Sequence, residues 1–266
     1  MPGRANIAAL KSLGVRAIIA FSAVGSLREE ITPGSFVLPT QIIDRTKGVR
    51  PASFFEGTSV VAHAMFGDPF SGKLVKWLEE RVRRALDAEG KGAKLFTGKC
   101  IVCMEGPQFS TRAESLMYRQ WGGDLINMSV LPEAKLAREA ELRYYFLFSF
   151  SRAHVDFMFV FSYALIATAT DYDSWRDQSE SVTAADVFKT LKGNAETSRL
   201  VAATILDDLQ SALTGEDAHV FLEETGSMQF SIMPRSEKQN PADRAKLAYV
   251  LPEYFTGEEG KDVSST

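Results

Sequence analysis

Apolar positions along this chain follow two rhythms. From Lys73 to Ala88, Leu74, Trp77, Leu78, Val82 and Leu86 recur at three- and four-residue steps with Gly90 beyond, which predicts an amphipathic helix. Ala5 to Leu13 ended by Gly14, Thr111 to Gln120, and Pro132 to Ala140 read as shorter helices. A long helix capped by Thr183, with Asp186 three residues on, is expected to turn Val187, Leu191, Leu200, Ile205 and Leu209 inward. Between the helices, Val15 to Phe21, Ser35 to Ile43, Lys99 to Met104, Leu125 to Met128 and Tyr163 to Thr170 are short apolar runs that read as buried strands. The first is expected to turn at Ser22-Ala23-Val24-Gly25-Ser26. Strands alternating with helices predict one α/β domain over 1–240, a central mixed, twisted β-sheet flanked by helices, with its site at the strand ends. Residues 241–266 are polar and end acidic, and are expected to form a mobile tail.

One stretch fits neither rhythm. Arg143 to Ser162 is dense in Phe and Tyr without alternation or a helical stripe. Arg152, His154 and Asp156 make it too charged, and its length too short, for a membrane span. It reads as an extra buried hairpin or a sticky insertion.

Composition narrows the classes of function. The chain is 45% hydrophobic and 24% charged, enough for a sizeable core. A net charge of −4 gives no electrostatic case for nucleic acid or an anionic membrane. No signal peptide is visible at Met1-Pro2-Gly3-Arg4, and scarce cysteine fits a reducing compartment. Cys100 and Cys103 lie three apart on a predicted strand, hence on opposite faces, and no second pair completes four ligands. They are expected to be core cysteines, with no metal site. Asn127-Met128-Ser129 matches a glycosylation signal that stays unused without secretion.

The sharpest chemical feature is the break from Thr168-Ala169-Thr170 to Asp171-Tyr172-Asp173-Ser174-Trp175. Alternation along an extended backbone projects Asp171 and Asp173 to one side. Two carboxylates in one cleft need a donor, a cation or a ligand proton. Taken alone, a helix cap with an acidic loop explains them as well.

Four segments together resemble the methylthioadenosine phosphorylases, of the trimeric branch of the purine nucleoside phosphorylase superfamily. They are Gly25-Ser26-Leu27-Arg28-Glu29-Glu30, Glu105 through Ser115 (EGPQFSTRAES), Asn127-Met128-Ser129 and Thr170-Asp171-Tyr172-Asp173. The likeness runs from Arg4 to Leu142 and from Tyr163 to about Leu209. It implies a phosphorylase/hydrolase-like fold and cleavage of 5′-methylthioadenosine by inorganic phosphate to adenine and 5-methylthioribose 1-phosphate. It also implies no metal or organic cofactor, a homotrimer, and a place in the cytoplasm with the nucleus as a second compartment.

The resemblance gives each residue a role. Ser22, Ala23 and Ser129 would hold phosphate, the serines standing where relatives usually carry Thr. Met128 would lie against the sugar, where a polarizable thioether suits an apolar face. Phe109 and Ser110 would line the base pocket. Asp171 would share a proton with purine N7, and Asp173 would accept from the 6-amino group, which favours adenine over 6-oxopurines. His63 would reach the sugar pocket of a neighbouring subunit.

Relatives carry some sixty further residues ahead of the position of Arg4, with a glycine-rich phosphate loop and an Arg-His pair. Clamps of that kind contribute a factor of about a hundred or more in rate each. Loss of initial strands is also expected to expose a sheet edge. Removing 143–162 would rejoin Leu142 to Tyr163, as a retained intron would explain, and the short N-terminus would reflect an incomplete gene model. A mature transcript that starts at Met1 and contains codons 143–162 would remove both expectations. Two alternatives therefore stay open: a purine nucleoside phosphorylase of other base preference, or a catalytically impaired chain that binds purines or oligomerises.

Overall fold

The computed structural model describes residues 2–15, 17–141, 162–176, 184–221, 228–234 and 239–256. The aromatic stretch 143–161 and the Thr183 cap lie outside these residues.

Five strands form the centre: β1 (Ala17–Ser26), β2 (Phe36–Arg45), β3 (Leu95–Met104), β4 (Leu125–Asn127) and β5 (Ser162–Tyr172). β1 runs parallel to β5, and β2, β3 and β4 run parallel in sequence. Two short antiparallel seams, Gly25–Ser26 against Leu125–Ile126 and Phe36–Val37 against Ala167–Thr168, close the sheet in the order β1-β4-β3-β2-β5. The mixed sheet flanked by helices matches the expected fold, but its closure into a barrel was not anticipated. Tyr163 to Thr170 is buried without interruption, as a strand covered on both faces requires. On the side of β1 away from β5, only Gly25 and Ser26 have a strand partner among the described residues. Ala17 to Ala23 stay half-buried or exposed.

Helices cover the barrel: α1 (Gly3–Ser12), α2 (Gly72–Glu89), α3 (Arg112–Gln120), α4 (Val130–Ala140) and α5 (Ala184–Thr214). The Ser71 hydroxyl accepts the Leu74 N–H to start α2, and Gly90 ends it at φ 68°. Thr111 and Glu114 form a reciprocal capping box on α3. On α5, Asn194, Thr197, Val201, Ile205 and Ala212 are buried and Leu209 packs against the core, while Leu200, expected inward, faces outward. Cys103 is a core residue whose thiol is pushed up to about 11, chiefly by burial.

Over 241–256 the tail expected to be mobile is instead packed on the domain. Helices α6 (Pro241–Leu247) and α7 (Pro252–Phe255) bury Leu247, Val250 and Leu251 completely. Three such side chains contribute roughly 1.5–3 kcal/mol each, a large share of an ordinary domain's stability. Tyr254 donates to the buried Glu141 carboxylate at 2.8 Å, fixing this end beside the C-terminus of α4.

Candidate active site

The C-terminal ends of β1 and β5 and the segment leaving β4 meet around a cavity of about 380 Å³, within the usual size of small-molecule sites. Its walls include Ser22, Ala23, Met128, Ser129, Phe109, Asp171 and Asp173, so seven of the nine sequence-predicted residues converge. Ser110 is buried behind this wall, and its hydroxyl donates to Met104 Sδ at 3.5 Å. His63 is elsewhere. It is exposed on a loop whose backbone bonds to Ser231 at 2.8 Å, and it does not line the cavity of its own chain.

At one end stand the aspartates. The register shifts between Val24 and Gly25, so Val24 pairs with Ala169 and Gly25 with Asp171, leaving Thr170 as the extra residue. The Thr170 hydroxyl lies 2.6 Å from Asp171 Oδ1. Burial raises the Asp171 pKa above the ordinary carboxylate value, against the pull of that hydroxyl. Burial also raises Asp173, with the neighbouring Asp171 charge adding to it, while the hydroxyls of Ser115 and Ser110 and the Ser174 N–H oppose. Asp173 Oδ2 is buried without a hydrogen-bond partner, an acceptor open to a ligand donor.

The loop bearing Asp173 is tied down from several sides. Ser26 O accepts both the Asp173 N–H at 2.9 Å and the Trp175 indole N–H at 2.8 Å. Arg119 lies 3.7 Å over the Trp175 ring, and Ser174 donates to Ser110 O at 2.8 Å. Gly25 leaves room for this arrangement: a Cβ there would stand 3.0 Å from Ile126 and 3.6 Å from Asp171 Oδ2.

Met128 forms part of the cavity wall. Gly106, at φ 73°, sits against it so closely that an added Cβ would collide with Met128 Sδ. Arg50 donates to the Met128 carbonyl, to Met104 O at 3.4 Å and to Glu105 Oε1 at 2.8 Å. The Lys47 backbone N–H and Arg50 hold Glu105 below the usual carboxylate range. Neither Arg50 nor its pairing with Glu105, 55 residues away, was predicted, because no local periodicity signals such a contact.

The other end is neutral. Ser22 lies within β1 rather than on a turn, correcting the expected small-residue turn. Ser22 Oγ and Ser129 Oγ are 3.0 Å apart, and Asn127 Nδ2 reaches them at 3.1 and 3.2 Å. Among the described residues, no Lys, Arg or His lines the cavity.

Residues 2–207 match the family model described as the Phosphorylase superfamily. The S-methyl-5′-thioadenosine phosphorylase of Coprinopsis cinerea is 63% identical over 271 residues, covering 96% of this chain and 78% of that protein. The chain belongs to the methylthioadenosine phosphorylase family. A second member, from Mycosarcoma maydis, is 51% identical over 255 residues, covering 95% of this chain and 74% of its own. Among solved structures, a methylthioadenosine phosphorylase from an antarctic soil metagenomic library superposes with a TM-score of 0.75 at 33% identity, covering 95% of this chain and 77% of that one. The methylthioadenosine phosphorylase of Schistosoma mansoni in complex with adenine superposes at 0.69 with 26% identity, covering 87% and 77%. The methylthioadenosine phosphorylase family thus accounts for the fold.

Proposed function

We propose that the cavity binds 5′-methylthioadenosine and inorganic phosphate and performs phosphorolysis, releasing adenine and 5-methylthioribose 1-phosphate for purine and methionine salvage. The observation that carries this reading is the pair Asp171 and Asp173: one half-buried acid that retains its proton unusually well, beside one buried carboxylate oxygen with no donor. An oxygen of phosphate bonds to C1′ as the C1′–N9 bond breaks and its electrons pass to the base. Asp171 gives or shares a proton at N7, so adenine departs without a full negative charge. Asp173 accepts from the exocyclic amino group, an arrangement that rewards adenine and repels a 6-oxo group. Met128 lies against the sugar as positive charge develops there, and the hydroxyls of Ser22 and Ser129 hold phosphate, with Ala23 at the same wall. Phe109 covers the base, and Ser110 backs Asp173.

The test is incubation with 5′-methylthioadenosine, with and without phosphate, following adenine. Phosphate-dependent release is expected. Release independent of phosphate would make the chain a hydrolytic nucleosidase and overturn the reading. A second reading is a purine-binding chain with impaired turnover, since the wall at Ser22 and Ser129 is built of neutral groups among the described residues. Adenine binding without phosphate-dependent release would establish it.

The reading extends to a chain that needs no metal or organic cofactor, forms a homotrimer, and works in the cytoplasm and the nucleus. No described helix is long and apolar enough to cross a membrane. In the trimer His63 would complete a neighbour's sugar pocket, which accounts for its distance from the cavity of its own chain. Mixed trimers of His63→Ala and Asp171→Ala chains would then recover activity above either parent, because one interface carries both native residues. Proven mixed trimers without recovery would return His63 to a surface role.

A further inference from the structure

Asn127 has no role in the reading above, yet it is more deeply buried than the two serines it joins. It is 5% exposed, the last residue of β4, and its side chain lies between β1 and the segment leading into α4. The carboxamide nitrogen reaches Ser22 Oγ at 3.1 Å and Ser129 Oγ at 3.2 Å, while the amide oxygen has no partner. A carboxamide has two N–H groups, one for each hydroxyl. A serine hydroxyl that accepts one of them keeps its own hydrogen free to donate elsewhere. Within the wall Ser22 Oγ also lies 3.0 Å from the Ala23 carbonyl and from Ser129 Oγ.

We propose that Asn127 is a positioning residue: its two N–H groups make acceptors of Ser22 and Ser129, so that both hydroxyls present hydrogens to an oxyanion in the cavity. This rests on the assignment of that end of the cavity to phosphate. It gives a neutral wall a polarity without a cation. Two hydroxyls left to themselves would form one donor–acceptor pair and offer a single outward hydrogen. With the carboxamide behind them they offer two. Buried and inflexible, the amide also fixes where those hydrogens point, the pre-organisation that anion binding in a small cavity requires.

The test measures binding of inorganic phosphate and of adenine separately, by calorimetry on the full chain. Asn127→Leu keeps the volume and removes both donors. It is expected to weaken phosphate by about tenfold or more, the scale of two lost hydrogen-bond donors, while adenine binding changes by less than about twofold. Asn127→Asp keeps the shape and is the variant to use if the leucine chain does not fold. Its ionised carboxylate would draw both serine hydrogens inward and repel the anion, so phosphate binding should be lost near about pH 8. Relative to the unaltered chain at each pH, it should return as the carboxyl protonates toward about pH 5. A residue that merely shapes the end of β4 would weaken both ligands together and show no such pH dependence. Unchanged phosphate affinity in the aspartate chain, or equal losses for phosphate and adenine, would overturn the inference. If the unaltered chain binds no phosphate, the inference and the assignment of this wall fall together. If it binds phosphate but does not cleave 5′-methylthioadenosine, the functional reading fails while the role of Asn127 is still decided by these affinities.

Discussion

The two ends of the cavity solve the problem of holding a polar ligand in opposite ways. At the β5 end two carboxylates are held against the preference of burial for neutral groups, and a network of Ser26, Ser110, Trp175 and Arg119 keeps the loop in place. At the β4 end there is no charge on the wall, only two hydroxyls and a carboxamide in mutual contact. On the proposed reading, a base relieves the cost of burial at the first end by donating from its amino group and taking a proton. The second end carries no such cost and depends on direction. Charge changes at the aspartates should therefore alter rate and selectivity, whereas changes at the serines should alter affinity.

The largest effect belongs to Asp171. Asp171→Ala should lower kcat by about 10²–10⁴ with little rise in KM for 5′-methylthioadenosine, because the proton on N7 matters most as the bond breaks. Steady-state kinetics at saturating phosphate measure this. A higher KM at constant kcat would make Asp171 a simple binding contact and erase the contrast between the two ends.

Next is selectivity. Asp173→Asn supplies a donor toward a 6-oxo group and should shift relative transition-state binding from adenine toward hypoxanthine nucleosides by about 1–3 kcal/mol. The ratio of kcat/KM for adenosine and inosine reads it directly. An unchanged ratio would show that the orphaned Asp173 oxygen meets something other than the base.

Smaller effects are expected at the neutral end. Ser22→Ala and Ser129→Ala should each raise KM for phosphate by about 1.5 kcal/mol, the low end of the worth of a hydrogen bond to a charged group, with kcat and base preference kept. A change of base preference in either chain would mean that the two ends are not separate.

The smallest effect sharpens the comparison through stability. Asp171 and Asp173 have folded pKa values raised chiefly by burial, so both bind protons more readily folded than unfolded. Such groups favour the folded state fully below the unfolded carboxylate pKa and lose that contribution as pH rises through the folded values. Asp173→Asn should consequently raise the midpoint of thermal unfolding at neutral pH, and the gain should vanish in acid. Ser22→Ala should show no comparable pH-dependent gain.

Much of this was legible in the sequence where local rules govern. The stripe of α2, the Thr111–Glu114 cap of α3 and the unbroken apolar run of β5 are consequences of near-neighbour geometry. Alternation placed Asp171 and Asp173 on one cavity. What escaped is held together by distant pairings. The antiparallel seams that close the barrel join residues about a hundred or more positions apart, and nothing in either strand announces its partner. Arg50 looks like any loop arginine until Glu105 and the Met128 carbonyl are brought to it. The small residues Ser22 to Ser26 suggested a turn, yet β5 beside them keeps the backbone extended. In the tail, Pro241 and Pro252 open helices too short to show a stripe, so Leu247, Val250 and Leu251 were hidden in polar surroundings.

The displaced residue opposite Val24 and Gly25 has a consequence for how this cavity can change over evolutionary time. Thr170 is taken up as a bulge just before the aspartates, so Val24 still meets Ala169 and Gly25 meets Asp171. Deleting that single codon would straighten β5 and leave Asp171 opposite Gly25. What would be lost is the Thr170 hydroxyl, 2.6 Å from Asp171 Oδ1. A single insertion or deletion can thus add or remove a hydroxyl beside a carboxylate while the strand pairing on either side is kept.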